Sequence, residues 1–74
     1  MINSEEIARI KVLADSGDAS AQWRYAMIRG AETSRNVDEI LYYLRKSAAQ
    51  DNKYGQYFLA YFLAFGDGCE RNIE

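Results

Sequence analysis

Apolar residues recur along the chain at spacings of three and four, the period of a helix with one buried face. Ile7, Ile10 and Ala14 mark a first helix over about Ser4 to Ser16. Ser4 is its predicted N-cap, Glu5 and Glu6 complement the helix dipole, and Gly17 ends it in a left-handed conformation. A second helix runs from about Ala19 to Gly30 behind the cap Asp18, with Ala21, Tyr25, Ala26 and Ile28 as apolar positions. A third runs from about Val37 to Gln50, with Ile40, Leu41, Leu44 and Ala48 as its stripe. Asn36 followed three residues later by Glu39 is a capping-box pattern with Asn in the Ser/Thr place. A fourth runs from about Lys53 to Phe65, between the cap Asn52 and the stop Gly66. No stretch alternates apolar and polar residues for long enough to predict a strand. The predicted class is all-α, and its short turns make neighbouring helices antiparallel.

The helices are also related to one another. Sliding the chain by 34 residues places Ile7 on Leu41, Ile10 on Leu44, Lys11 on Arg45 and Ala14 on Ala48. The same shift places Ala21-Gln22 on Gly55-Gln56 and Tyr25-Ala26 on Leu59-Ala60. Arg35-Asn36-Val37 meets Arg71-Asn72-Ile73 at a shift of 36, so the second copy carries two extra loop residues. A period in the mid-thirties built of two helices is the signature of a helical solenoid.

These residues resemble the Sel-one-like repeat, a relative of the tetratricopeptide repeat. That family opens its first helix with Ala-Gln, two variable residues and Leu-Gly, matched by Ala21-Gln22 with Tyr25-Ala26 and by Gly55-Gln56 with Leu59-Ala60. Its Gly-x-Gly-Val loop is matched by Gly66-Asp67-Gly68-Cys69, and the Asn capping its second helix by Asn36 and Asn72. Tyr43, Lys46, Ser47 and Ala48 match an aromatic residue followed by Lys-Ala-Ala, and Gly17 matches the glycine after that helix. The resemblance covers almost the whole chain. Arg29 and Leu63 stand where the family has Tyr, Glu32 replaces a loop glycine, and Asp51 replaces a turn glycine. The cysteine pairs of some family members are missing.

The resemblance implies an α/α solenoid of about two repeats, partial at both ends, forming a single domain over residues 1–74. Residues 1–17 are then the second helix of one repeat, 18–51 a complete helix pair, and 52–74 the first helix of a further repeat. Small residues at Ala21, Ala26, Gly55 and Ala60 are expected to let helices approach closely. The nine residues Tyr57–Phe65 are apolar all round, a pattern that predicts cover on several sides.

Composition narrows the chemistry. The chain of 74 residues has a net charge of −2, which argues against electrostatic binding of nucleic acid. With no histidine and one cysteine, neither a histidine-based triad nor a multi-cysteine metal site can form. No catalytic residues, metal ligands or cofactor are expected. Gly66-Asp67-Gly68 follows a helix and lacks a Gly-Lys-Ser/Thr continuation, so it reads as a turn and not a phosphate loop. Asp67 and Glu70 are too few oxygens for calcium. Cys69 reads as a small apolar plug. A membrane-spanning helix needs about 20 apolar residues, more than any run here, so no membrane partner and a cytoplasmic location are expected.

The remaining candidate is a binding face. In the related tetratricopeptide fold the first helix of each pair lines a concave groove. By register that groove takes Ser20, Trp23 and Met27 from the first copy and Tyr54, Tyr57, Tyr61 and Phe65 from the second. One reading is a peptide groove with rigid aromatic anchors. The other is packing against a further repeat or a second copy of the chain. The resemblance implies a non-catalytic scaffold or adaptor that binds a peptide or protein. The alternative is a structural assembly unit, or a fragment of a longer repeat protein, whose fourth helix self-associates into a homo-oligomer.

Overall fold

The computed structural model describes residues 3–32 and 36–65, the side chain of Phe65 excepted. Four helices lie within them: α1 (Ser4–Asp15), α2 (Ala19–Gly30), α3 (Val37–Ala49) and α4 (Lys53–Phe65). The described residues contain no strand. Each helix packs on the next, and α2 also touches α4. The fold is an α/α solenoid of antiparallel helix pairs. Residues Gly66, Gly68, Cys69 and Asn72, which the sequence assigns to a loop and a further cap, lie outside the described residues.

The caps set the helix boundaries. Asp18 Oδ1 accepts the Ala21 N–H at 2.9 Å, and Asn36 Oδ1 accepts the Glu39 N–H at 3.1 Å. Asn52 Oδ1 accepts from the N–H groups of both Tyr54 and Gly55. The capping box expected at Asn36 is half formed, since Asn36 accepts from Glu39 while the Glu39 carboxylate is held by Arg29, and the first cap differs outright. Asn3, not Ser4, caps α1, because Asn3 has Glu6 three residues on and the two form a reciprocal capping box. Ser4 is the first residue inside the helix.

The 34-residue register is written in hydrogen bonds. Gln22 Nε2 donates to the Ala14 carbonyl at 3.0 Å, and Gln56 Nε2 donates to the Ala48 carbonyl at 3.4 Å. The same two carbonyls also accept the N–H of Gly17 and of Asp51. The glutamine of each copy therefore satisfies the end of the preceding helix, where carbonyls lack intrahelical donors. Gly17 has φ +109° and Asp51 φ +61°, so both turns use positive φ. At +61° an aspartate is tolerated, whereas +109° belongs to glycine.

The core between α1, α2 and α3 holds Ala14, Ala21, Tyr25, Ala26, Ile40, Tyr43 and Leu44. Tyr25 and Tyr43 meet edge to face with centroids 5.0 Å apart. Two polar side chains are buried with them. Ser47 Oγ donates to the Ala19 carbonyl at 2.8 Å, and Gln22 accepts from Gln50 Nε2 at 3.0 Å.

The small positions divide. Ala21 and Ala26 are buried under neighbouring helices, and Gly55 lies directly on Ser47 and Ala48 of α3. Ala60 is exposed, contrary to expectation. Its counterpart Ala26 is buried in a core to which α3 contributes Ile40, Tyr43 and Leu44, and the residues in the corresponding place after α4 lie outside the described ones. Arg29 and Glu32 compensate each other. The Arg29 guanidinium bridges Glu32 and Glu39, each at 3.1 Å, tying α2 to the start of α3.

Candidate interaction face

The face is built from α2 and α4, whose side chains meet at Trp23. Its indole lies 5.3 Å from the ring of Tyr54 and 5.3 Å from that of Phe58, the latter stacked. Tyr57 meets Phe58 edge to face at 5.2 Å and stacks with Tyr61 at 6.4 Å. Tyr54, Phe58 and Tyr61, with Tyr57, recur at helical spacing, so α4 presents one aromatic strip and α2 closes one side of it. Tyr54, Tyr57 and Tyr61 remain exposed, Tyr57 at 62%, while Trp23 and Phe58 are half-buried.

Of the sequence-assigned groove residues, Trp23 and Tyr54 touch directly, and Tyr57 and Tyr61 continue the strip along α4. Ser20 is exposed and Met27 is half-buried against the core. The side chain of Phe65 lies outside the described residues. The sequence register does not give Phe58 as the partner of Trp23. Its register counterpart is Arg24, a charged residue, so carrying positions across the repeat skips it.

The strip borders an open concavity of about 390 Å³ lined by Lys53, Tyr54, Tyr57 and Phe58. Arg24 holds its guanidinium carbon 5.8 Å from the Trp23 ring centre. Neither α2 nor α4 contains an Asp or Glu, although the chain as a whole is acidic. A face of this kind offers aromatic, apolar area with cations at its margin.

Phe58, Phe62, Phe65, Tyr61 and Leu63 of the fourth helix are more large side chains than one helix pair is expected to bury. Phe58 and Phe62 pack against the core, because they share the face of α4 that carries Gly55 and Leu59. The large exposed groups are the tyrosines on one side and Leu63, 58% exposed, on another. Leu63 lies with exposed Gln56 and Ala60 on a second open strip. The counterparts Gln22 and Ala26 on α2 are buried. Among the described residues no helix is long and apolar enough to cross a membrane.

No family model matches the chain, and no solved structure matches it. It is 38% identical over 48 residues to a putative sel1-like repeat-containing protein of Acanthamoeba polyphaga mimivirus. That stretch is 62% of this chain and 8% of the viral protein, so the chain spans a small part of its relative's length. The likeness supports a Sel1-like repeat over those residues, in agreement with the helix pairs and their recurring hydrogen bonds.

Proposed function

We propose that the chain is a non-catalytic protein-interaction module that takes a peptide or partner protein on the concave α2–α4 face. It acts as a scaffold or adaptor in the cytoplasm, and its helix pairs follow the repeat division at residues 17 and 51. The observation that carries this reading is the cluster of Trp23, Tyr54 and Phe58, continued by exposed Tyr57 and Tyr61. Aromatic side chains of this size anchor interfaces at small entropic cost. Tyr57→Ala is the cleanest test, since Tyr57 is exposed and its loss leaves the core intact. Binding of a peptide to this face should weaken by about 2 kcal/mol or more, with helicity unchanged by circular dichroism. Arg45→Ala on the outer helix α3 should do little. A bound peptide that tolerates Tyr57→Ala, and Trp23→Ala with it, removes the groove.

A second reading is favoured by one observation. Gln56 and Ala60 are open where their counterparts Gln22 and Ala26 on α2 are buried, and Leu63 beside them is exposed too. A helix laid on that strip extends the solenoid, whether it comes from more chain or from a second copy. In this reading the unit is structural.

A further inference from the structure

The two helices of the aromatic face carry no carboxylate; the acids nearest to them, Asp18, Glu32 and Asp51, stand at their ends, Asp18 as the α2 cap and Glu32 paired with Arg29. The helix-borne acids Glu5, Glu6 and Asp15 lie on α1, and Asp38 and Glu39 on α3. The cations of the α2–α4 layer are Arg24, Arg29 and Lys53. Arg29 is engaged by Glu32 and Glu39. Arg24 and Lys53 form no ion pair among the described residues. Both are exposed, and both border the aromatic cluster, Arg24 above Trp23 and Lys53 at the rim of the concavity.

We propose that this face takes an acidic peptide, an extended segment in which carboxylates alternate with apolar side chains. The inference rests on the reading of the face as a peptide groove and adds the chemistry of its partner. Apolar groups of the ligand seat against Tyr54, Tyr57 and Phe58, and its carboxylates face Arg24 and Lys53. The charges contribute selectivity and encounter rate more than affinity. A basic peptide is disfavoured twice. It meets two like charges, and Trp23, the best cation-binding ring, already carries Arg24 and stacks on Phe58. An anionic membrane fits less well. Recognition of such a surface takes a cluster of roughly four to eight basic residues, and a concave strip between two helices does not lie flat on a bilayer.

Trp23 is the chain's sole tryptophan, so its emission reports directly on the face. The whole chain is titrated with three blocked heptapeptides free of tryptophan and tyrosine. Each alternates phenylalanine and leucine with glutamate, glutamine or lysine. The glutamate peptide should shift Trp23 emission saturably and bind about three- to tenfold more tightly than the glutamine peptide, two exposed ion pairs' worth. The lysine peptide should bind more weakly still. The glutamate preference should vanish in the double variant Arg24→Gln/Lys53→Gln, or in about 0.5 M salt. The variant Arg24→Lys/Lys53→Arg should retain it. Circular dichroism establishes that both variants are folded. Equal binding of the three peptides overturns the acidic-peptide inference and leaves the groove standing. An unresponsive Trp23 with all three removes the groove and the inference together. A saturable shift with phosphatidylserine vesicles but not with the glutamate peptide assigns the face to a membrane and overturns the proposal.

Discussion

At Gly55 two helices approach as closely as backbone allows. A Cβ added there would lie 2.7 Å from the Ser47 Cβ and 2.9 Å from the Ala48 nitrogen, neither of which is the end of a flexible side chain. Gly55→Ala should therefore destabilise the fold by about 1–3 kcal/mol, although alanine is the better helix former. At Gly30 the nearest atom to such a Cβ is the end of Ile40 at 3.7 Å, so Gly30→Ala is the tolerated control. Urea midpoints of the two variants decide this. The paired glutamines give a second comparison. Gln22 is 1% exposed and joins Ala14 to Gln50, so Gln22→Ala removes two hydrogen bonds from a buried position, at about 1–3 kcal/mol. Gln56 makes the matching bond at the surface, and Gln56→Ala should cost under about 0.5 kcal/mol by the same measurement. At this scale the sequence showed that position 55 must be small and that both glutamines recur. It did not show Ser47 beneath Gly55, or Arg29 joining Glu32 and Glu39. Those contacts depend on how two helices cross, which no local pattern encodes.

Helix α3 is tied to α1 through one polar chain. Buried Tyr43 donates to Asp15 at 2.6 Å, and Lys11 donates to the other carboxylate oxygen of Asp15 at 2.8 Å. Burial first, then the bond to Asp15, pushes the Tyr43 phenol up to about 12. Its folded value is raised, so its contribution is complete below pH 10 and is lost as pH rises from 10 through about 12. The hydrogen bond from Lys11 first, then that from Tyr43, lowers the Asp15 carboxyl. That contribution is present above the ordinary aspartate value of 3.8 and is lost as pH falls through the lowered one. Melting temperature against pH should thus be flat near neutrality and fall at both extremes. Tyr43→Phe should lower the plateau, flatten the alkaline limb and shrink the acid one. An alkaline limb unchanged in Tyr43→Phe would assign it to other groups. Element boundaries were the most legible feature, because Asp18, Asn36 and Asn52 each bond the N–H three residues on. The first cap lies one residue before the predicted Ser4 because Ser4 and Asn3 are both good caps and only Asn3 has its glutamate in reach.

Across the molecule, the open surface is divided into an aromatic strip and the Gln56–Ala60–Leu63 strip. The excess of apolar residues on α4 was legible in the sequence. Its distribution was not, since an all-round apolar helix has no periodicity to say which side faces the core. Leu63 is the residue on the second strip whose burial has most to gain, roughly 1.5–3 kcal/mol. If the strip joins copies of the chain, Leu63→Lys should shift sedimentation towards monomer while leaving the melt intact, because Leu63 is outside the core. The same substitution at Phe62 would disturb packing as well. A chain already monomeric at high concentration would remove the self-assembly reading and leave the groove unaffected.

Helix packs on helix in chain order, with α2 on α4 the longest step among the extensive contacts. The consequence is kinetic. Little loop entropy must be lost before a contact forms, so such a topology folds on a scale of roughly microseconds to milliseconds. It also opens from its margins. Amide protons at Ala26, Ile40 and Leu44, deep between α2 and α3, should exchange last, and those of α4 early, leaving the partner-facing helix the readiest to adjust its fit.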